Sequence, residues 1–378
     1  MNALARWLRT GLCMLSLGML AGPAGAEQGV APDAIVISRV IALDGPAGAK
    51  GREQEAALQA YFGAVNAAGG VHGRRIVLRT TNADLRSTEV LRSLHDSQRP
   101  FALFLFGGTA GSAVAMALAT ELRIPFVAPN SGAHAFHEPF NRYVFNVRAR
   151  YRDEVAAAIR HFALVNQRRV ALVHVDDPFG RDAAEGYREG LRAAGASSVH
   201  EGRFAADQVD FSAHAWALAA ARPQAVVCIG ASRRVADLIV AARRAGVAAT
   251  FMTLSNNSSA GFARELGSHA RGVIVSQVMP PPATQTTPLS REVTRLLAGA
   301  QDGEASYAAM EAYASAKLLV EGLRRAGPNL TREGFVQALQ SLQRFDLGGL
   351  EIDFSPKKRS GSAYVDLSIL TEDGRYRR

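Results

Sequence analysis

The chain has 378 residues, of which 48% are hydrophobic and 20% are charged. This composition is typical of a globular protein and excludes a disordered or fibrous one, and the length suffices for two domains. The formal net charge is +9, and removing Arg6 and Arg9, the charged residues of the first 26, leaves +7. The basic residues are spread in ones and twos, and the densest run, residues 357–359, indicates a solvated turn rather than a nucleic-acid surface.

The first 26 residues have the three parts of a secretory signal peptide. Arg6 and Arg9 form a basic start, residues 12–20 an apolar core, and residues 24–26, Ala-Gly-Ala, a cleavage site of small residues. The core is shorter than the about 20 residues that a membrane-spanning helix needs, and no later stretch is long and uncharged enough. We therefore expect cleavage after Ala26 and a soluble, exported protein.

Cysteine is scarce in this chain. Cys13 lies upstream of the cleavage site, so it is not placed as a lipid-anchor cysteine. Cys228 lies within the apolar run of residues 225–229, which predicts a buried, inert thiol rather than a nucleophile.

The first half of the mature chain alternates short apolar runs with helical patterns. The predicted strands are residues 35–41, 75–80, 101–106 and 124–128, and the predicted helices are residues 52–67, 87–97 and an Ala-rich stretch ending at Leu122. Residues 42–51, rich in glycine and small residues, are expected to be a loop. This alternation predicts an α/β fold with a doubly wound parallel sheet.

Residues 101–132 form one strand–helix–strand unit with polar residues after each strand. A ligand binds such a unit where the strands' carboxyl ends meet the helix amino ends, because free backbone N–H groups point there. Gly108, Thr109 and Ala110 follow one strand, and residues 130–132, Asn-Ser-Gly, follow the next. A helix amino end favours an anion such as a carboxylate. Alternatively, Thr109 only caps the helix.

A second alternation follows a short extended segment at residues 143–147. The predicted helices are residues 153–164, 183–194, 212–221 and 234–245, and the predicted strands are residues 169–175, 225–230, 250–254 and 273–278. Further helices are expected at residues 289–297, 307–325 and 331–342, and strand-like segments at 347–354 and 363–370. Two similar α/β lobes with several crossings suggest a clamshell that holds its ligand between facing loops.

Several short segments occur in a recognisable order along the mature chain. They are Leu43-Asp44-Gly45-Pro46 after the first strand, residues 64–73, 106–112, 124–125 with 128–132, 145–148 and 175–180, and Gly246. This ordered set resembles the leucine/isoleucine/valine-binding family of periplasmic binding proteins, the solute receptors of ABC importers, over nearly the whole mature chain. The resemblance implies two Rossmann-like lobes joined by a three-stranded hinge, and no catalysis.

The resemblance also divides the chain into parts. Residues 1–26 are the signal peptide, residues 27–149 with 278–350 the first lobe, and residues 150–277 with 351–378 the second lobe. The implied partners are a small-molecule ligand and the membrane permease of an ABC importer, with no nucleic acid and no cofactor. We expect a monomer.

Family binding positions can be carried over residue by residue. Thr109 falls where the family holds a ligand carboxylate with a hydroxyl, and Asn130 and Gly132 fall on the next binding loop, where Ser131 is the available hydroxyl. Phe179 matches an aromatic that closes over the ligand, and its place between Pro178 and Gly180 puts it on a loop. Ser232 matches a further contact from the second lobe.

Other positions depart from the family pattern. Ser255 stands where amino-acid receptors carry an acid that pairs with the ligand's ammonium group, and a buried ammonium without such a partner is disfavoured. Lys50 stands where an aromatic is usual and either adds a positive charge at the cleft mouth or points into solvent. Ala83 and Gly108 replace the two cysteines of a frequent first-lobe disulfide.

These departures favour a small organic acid without an amine, with an aromatic body suggested by Phe179 and the nearby Tyr151. The alternatives are an amino-acid receptor with unusual amine recognition, a sensor of the same fold that passes its closed state to a signalling partner, and an exported enzyme. No nucleophile elbow, P-loop or dinucleotide fingerprint supports the enzyme.

Two pairs of residues resemble functional sites without the necessary context. His134 and His137 have a helical ligand spacing but lie in a predicted loop, so a metal site is not expected. Adjacent side chains such as Asp176 and Asp177 diverge on an extended backbone, which favours a loop cap or a polar ligand contact over acid–base catalysis.

Overall fold

A computed structural model describes residues 27–299 and 305–378 of the chain. The predicted signal peptide and Cys13 lie outside the described residues. No helix in the described ranges has the length and apolar character that crossing a membrane requires.

The first sheet is parallel, in the order β2-β1-β3-β4-β5. Its strands are β1 (Ala34–Ile41), β2 (Arg75–Asn82), β3 (Ala102–Phe104), β4 (Phe126–Val127) and β5 (Val144–Phe145). Strands β3, β4 and β5 consist of buried apolar residues, as expected for a parallel sheet that helices cover on both faces.

The second sheet has the order β14-β13-β10-β9-β8-β6-β7. Its parallel strands are β6 (Arg169–Val175), β7 (Ser197–Phe204), β8 (Ala225–Ile229), β9 (Thr250–Thr253) and β10 (Ile274–Gln277). A separate antiparallel pair comprises β11 (Phe345–Asp346) and β12 (Glu351–Ile352). The chain then adds β13 (Asp366–Leu370), antiparallel to β10, and β14 (Tyr376–Arg377) to the second sheet.

Helices connect the strands and cover the sheets. They are α1 (Gly48–Ala67), α2 (Thr88–Gln98), α3 (Gly108–Leu122), α4 (Tyr151–Leu164), α5 (Pro178–Ala194), α6 (Ser212–Ala221), α7 (Ser232–Arg244), α8 (Ala260–Leu266), α9 (Pro288–Leu297), α10 (Tyr307–Ala326) and α11 (Arg332–Gln340). The prediction of an α/β fold with two doubly wound lobes is confirmed.

The lobes touch through a shared apolar cluster as well as through the connecting chain. Leu103 and Phe126 of the first sheet belong to the same cluster of buried residues as Val170 and Leu172 of the second. The predicted lobe boundaries stay a prediction. We note that Ile352 packs with the first lobe's core, whereas β13 lies in the second sheet.

Two chain segments run side by side where the lobes join. The Asn146 N–H donates to the Arg359 carbonyl at 2.8 Å, and the Gly361 N–H donates to the Asn146 carbonyl at 2.7 Å. His137 Nδ1 lies 2.7 Å from the Ser360 hydroxyl, which ties the loop before β5 to the returning segment. We refer to these paired segments, residues 144–150 and 355–363, as the hinge.

Several element predictions differ from the structure. The predicted loop before Arg52 is partly helical, because a 3₁₀ turn at Gly45–Ala47 leads directly into α1 at Gly48. Strand β7 and helix α8 were not predicted, since β7 has several exposed and charged residues and therefore lacks an apolar run. Cys228 is fully buried as predicted, and burial raises the pKa of its thiol.

His137 generates a prediction about the pH dependence of stability. Burial, together with the nearby charge of Arg150, lowers the pKa of His137 from 6.5 to about 3. The unfolded chain takes up this proton at a higher pH than the folded protein, so the free energy of unfolding decreases as the pH falls from 6.5 towards 3. We expect His137→Asn to reduce this slope by up to about 1.4 kcal/mol per pH unit in urea unfolding.

The exposed residue His161 provides the matched control. Water surrounds its side chain in the folded and unfolded states, so His161→Asn should keep the wild-type slope. Equal slopes for wild type and His137→Asn would contradict the prediction.

Candidate functional site

A cavity of about 340 Å³ lies between the two lobes. It is lined from the first lobe by the amino ends of α1 and α3 and from the second lobe by the amino ends of α5 and α7. Parallel strands bring these ends together, because each strand's carboxyl end leads into the next helix. Of the sequence-predicted ligand residues, six line the cavity: Lys50, Thr109, Ala110, Asn130, Phe179 and Ser232.

The first turns of α3 and α7 carry backbone N–H groups that no side chain caps. The N-cap residues are Gly107 and Ala231, and neither has a side-chain capping hydrogen bond. Gly108 begins α3 with a φ of +66°, a left-handed conformation that glycine adopts without strain. The positive ends of two helix dipoles, one in each lobe, therefore face the same cavity.

Thr109 is the second residue of α3, so the alternative that it caps this helix is wrong. Its hydroxyl lies 2.8 Å from the hydroxyl of Ser131, which also accepts the Ala133 N–H at 3.2 Å. Ser131 is fully buried and does not line the cavity, so it orients the Thr109 hydroxyl from behind. Tyr151 is the third hydroxyl-bearing residue of this set. Burial raises the pKa of Tyr151, and a hydrogen bond with Ser131 opposes part of the rise.

Gly132 lies beside the hinge rather than in the cavity wall. A Cβ atom at this position would lie 2.8 Å from the Ala149 carbonyl oxygen and 2.8 Å from the Tyr151 nitrogen. The Tyr151 N–H donates to the Gly132 carbonyl at 2.8 Å. The glycine thus permits a close backbone contact at the start of α4.

Asn130 is held in the cavity wall by a buried amide pair. Its Nδ2 donates to Gln54 Oε1 at 3.0 Å, and Gln54 also accepts from Arg39 at 3.0 Å. These contacts fix the orientation of the Asn130 side chain from helix α1.

Aromatic rings form an apolar side of the cavity. Phe179 and Tyr151 have their ring centroids 4.6 Å apart, and Phe204 adds a third ring from the second sheet. Phe179 lies in the first turn of α5 rather than in the predicted loop, because Pro178 starts the helix and Asp177 caps it by accepting the Gly180 N–H at 2.8 Å. Asp177 is therefore a helix cap that also lines the cavity.

The Lys50 ammonium is part of a buried network of charges beside the cavity. It pairs with Glu311 at 2.7 Å, and its side chain is 11% exposed. Burial lowers the pKa of Lys50, although the charge of Glu311 opposes this effect. Lys50 thus neither points into solvent nor adds an unbalanced charge at the cleft mouth.

Arg148 connects this network to the second lobe. It donates to Glu311 of α10 at 3.2 Å and to Glu154 of α4 at 2.7 Å, and its guanidinium lies 4.8 Å from the Tyr151 ring centroid. Burial by itself lowers the pKa of Arg148, but the contributions of Glu311, Tyr151 and Glu154 together outweigh it, so the pKa of Arg148 is raised. The network of Lys50, Glu311, Arg148 and Glu154 has no net charge.

Ser255 belongs to the same network and does not line the cavity. Its backbone N–H donates to Glu154 at 2.9 Å, and its hydroxyl accepts from Arg148. The side chain is almost fully buried. A direct contact between Ser255 and ligand stays a prediction that this geometry does not favour.

Sequence reasoning missed several polar residues of the second lobe that line the cavity: Arg234, Asn256 and Asn257. Asn256 and Asn257 both donate to the Gly230 carbonyl, which joins them to the strand that precedes α7. The sequence signal that could have identified Asn256 and Asn257 is their position directly after Ser255. Arg234 lies in the first turn of α7, two residues after Ser232, and no motif indicated it.

The other sequence candidates have structural partners. His134 lies 3.7 Å from Glu138, His137 contacts Ser360, and Asp176 pairs with Arg181 at 2.9 Å. Within the residues that the structure describes, no group of three or more potential metal ligands is found.

A family model described as periplasmic binding protein matches residues 34–374. A substrate-binding periplasmic protein from Ralstonia solanacearum is 27% identical with a TM-score of 0.81, and the match covers 90% of this chain and 99% of that chain. A leucine-binding protein from Thermotoga maritima is 17% identical with a TM-score of 0.79, over 90% and 97% of the two chains. A fatty acid ABC transporter substrate-binding protein from Thermomonospora curvata is 18% identical with a TM-score of 0.83, over 92% and 91%.

The buried charge network predicts a large difference between two arginine substitutions. Arg148→Met leaves Glu154 buried without its cationic partner, and breaking a buried pair in this way costs about 3–5 kcal/mol. Arg188, whose side chain is 41% exposed beside Glu201, is the matched control. Arg188→Met should cost less than about 1 kcal/mol, because solvent screens exposed ion pairs. Urea unfolding measures both changes, and equal losses would argue against the network's role.

Proposed function

Since the chain belongs to the periplasmic binding protein family, we propose that it is a periplasmic solute receptor that binds a small carboxylate-bearing molecule and delivers it to the permease of an ABC importer. The family and the matched structures are solute-binding proteins rather than enzymes. The proposal concerns the ligand class, the importer and the periplasmic location of this particular chain.

The observation that carries the ligand class is the pair of uncapped helix amino ends at one cavity. Free backbone N–H groups and the helix dipole together favour an anion. Thr109 adds a hydroxyl that Ser131 orients at 2.8 Å. A carboxylate seated on the first turn of α3 satisfies these donors, and contacts to the first turn of α7 then draw the second lobe towards it.

The rest of the cavity favours a small ligand with an apolar body. A volume of about 340 Å³ lies at the lower end of the range for ligand pockets. Phe179, Tyr151 and Phe204 offer ring faces and edges, against which an aromatic or aliphatic group packs.

One observation favours an amino-acid receptor as the second candidate. Asp177 lines the cavity from the second lobe, so a ligand ammonium has a carboxylate available even though Ser255 is neutral. Asp177 Oδ1 already accepts the Gly180 N–H, which leaves Oδ2 to meet a cation. The sequence argument against an amine therefore rests on one position only.

Contacts across the cavity mouth support a receptor that closes around its ligand. The Ser232 hydroxyl donates to the Pro46 carbonyl at 2.9 Å, and the Gly261 N–H donates to Glu53 at 3.2 Å. The first contact joins α7 to the 3₁₀ turn before α1, and the second joins α8 to α1. Contacts that exist only when the lobes meet allow ligand binding to shift the population towards the closed form.

The ligand class can be tested by thermal shift with matched compounds. We expect aromatic and branched aliphatic carboxylates to raise the melting temperature, and the corresponding amines to leave it unchanged, because only the carboxylates satisfy the helix amino ends. Amino acids with the same side chains form the third arm. Stabilisation by amino acids alone would support the second candidate and contradict the preference for a simple acid.

Variants then locate the binding site. Thr109→Val removes one hydrogen bond to a charged group, which should weaken binding of the best carboxylate by about tenfold or more in calorimetry. Thr88→Val is the control, because Thr88 is exposed at the start of α2 and does not line the cavity. Equal affinity in both variants would place the ligand elsewhere.

The importer role has a separate test. Cells that lack this chain should lose high-affinity uptake of the ligand identified above, and the wild-type gene should restore it. Uptake that is unchanged, together with altered gene expression in response to the ligand, would instead support a sensor.

A further inference from the structure

A second cavity, of about 600 Å³, lies on the hinge and shares no lining residue with the cavity between the lobes. Its walls are the loop before β5, the start of α4 and the returning segment of residues 349–364. We call it the hinge cavity. Nothing in the proposed function uses it.

Arg359 lines the hinge cavity and is a buried cation without a counter-ion. Its side chain is 2% exposed, and its guanidinium lies 4.7 Å from the Phe140 ring centroid and 4.5 Å from that of Phe145. It donates to the main-chain carbonyls of Arg142, at 3.2 Å, and Ser355. Nη2 has no hydrogen-bond partner, and no carboxylate among residues 27–299 and 305–378 forms an ion pair with Arg359.

The carboxylates around the hinge cavity already have cationic partners. Arg150 pairs with Asp153 at 2.9 Å and with Glu138 at 3.4 Å. Asp353 pairs with Lys358 at 2.7 Å, and Glu351 lies 3.9 Å from Arg344. These pairs leave Arg359 without a carboxylate partner of its own.

Two further polar groups line the hinge cavity. Lys357 is exposed at the edge of the cavity. His137 is buried with Nε2 unpartnered, and its pKa of about 3 keeps the ring neutral at physiological pH. A buried charge without a partner is costly, so an anion that enters here gains a partner that the protein itself does not supply.

We propose that the hinge cavity is a second binding site, which takes a small oxyanion, carboxylate or phosphate, on the guanidinium of Arg359 with Lys357 at its edge. Arginine is suited to both groups because its planar fork matches two oxygens at once. Nη2 is enclosed, so the anion reaches it when a side chain moves. Phe140 covers the guanidinium and is 47% exposed, so it is the side chain whose displacement would open this path.

The location of this site couples it to the motion of the lobes. Arg359 bonds through its backbone to Asn146 in the outgoing segment of the hinge, at 2.8 Å, and Arg150 and Asp153 belong to the start of α4 in the second lobe. An anion between them contacts both sides of the hinge. It therefore changes the equilibrium between lobe arrangements, and the affinity of the distant cavity with it.

The test uses the full mature protein and calorimetric titration with inorganic phosphate and, separately, with acetate. Sodium chloride at equal ionic strength is the reference. We expect saturable binding of one or both oxyanions and none of chloride, and the comparison of the two tells whether the site prefers phosphate or carboxylate. No saturable binding of either oxyanion would overturn the proposal.

Variants distinguish this site from the cavity between the lobes. Arg359→Gln should weaken binding by about tenfold or more, and Lys357→Gln by about threefold. Arg271→Gln, a change at a residue whose side chain is 78% exposed and which does not line the hinge cavity, should leave binding unchanged.

Thr109→Val should also leave phosphate binding unchanged. Binding that Thr109→Val weakens and Arg359→Gln does not would place the anion between the lobes and overturn the proposal. If circular dichroism shows that Arg359→Gln does not fold, Lys357→Gln decides, because an exposed lysine is removed without loss of the fold. Wild-type affinity in Lys357→Gln would then count against the site.

Discussion

The buried guanidinium of Arg148 is the interaction on which the arrangement of the two lobes depends. Arg148 follows β5 in the hinge and pairs with Glu311 of α10 in one lobe and with Glu154 of α4 in the other. Glu154 in turn accepts from Ser255 and Ser276, at 2.9 and 2.5 Å, so the turn after β9 and strand β10 of the second lobe are tied to the same charge. Removing Arg148 leaves Glu154 buried without a cationic partner, which is costly, so the pairing holds the two lobes in this arrangement.

The cavity beside this network combines two features that are physically linked. Because Lys50 and Arg148 are balanced by Glu311 and Glu154, the network contributes no net charge to the cavity. In the proposed receptor, the attraction for an anion then comes from backbone N–H groups at the amino ends of α3 and α7. Backbone dipoles are held rigidly by their helices, so they select an anion's position as well as its charge.

The two buried arginines of the hinge differ in their partners. Arg148 has carboxylate partners on both sides, whereas Arg359, about as deeply buried, has aromatic rings and main-chain carbonyls. The two arginines lie on the paired segments of the hinge, one in each.

The sequence by itself determined the fold and part of the cavity wall, because apolar runs and helical spacing are local patterns and parallel strands bring their carboxyl ends to one edge. Thr109 and Asn130 were predicted on that basis and Phe179 from the family resemblance, and all three line the cavity. Only the tertiary structure decided what Lys50 and Ser255 do, since their partners Glu311 and Arg148 are distant in sequence. Tertiary structure also decided that Arg359 has no carboxylate partner. The packing of all the surrounding segments determines which charges meet, and no local sequence pattern shows this.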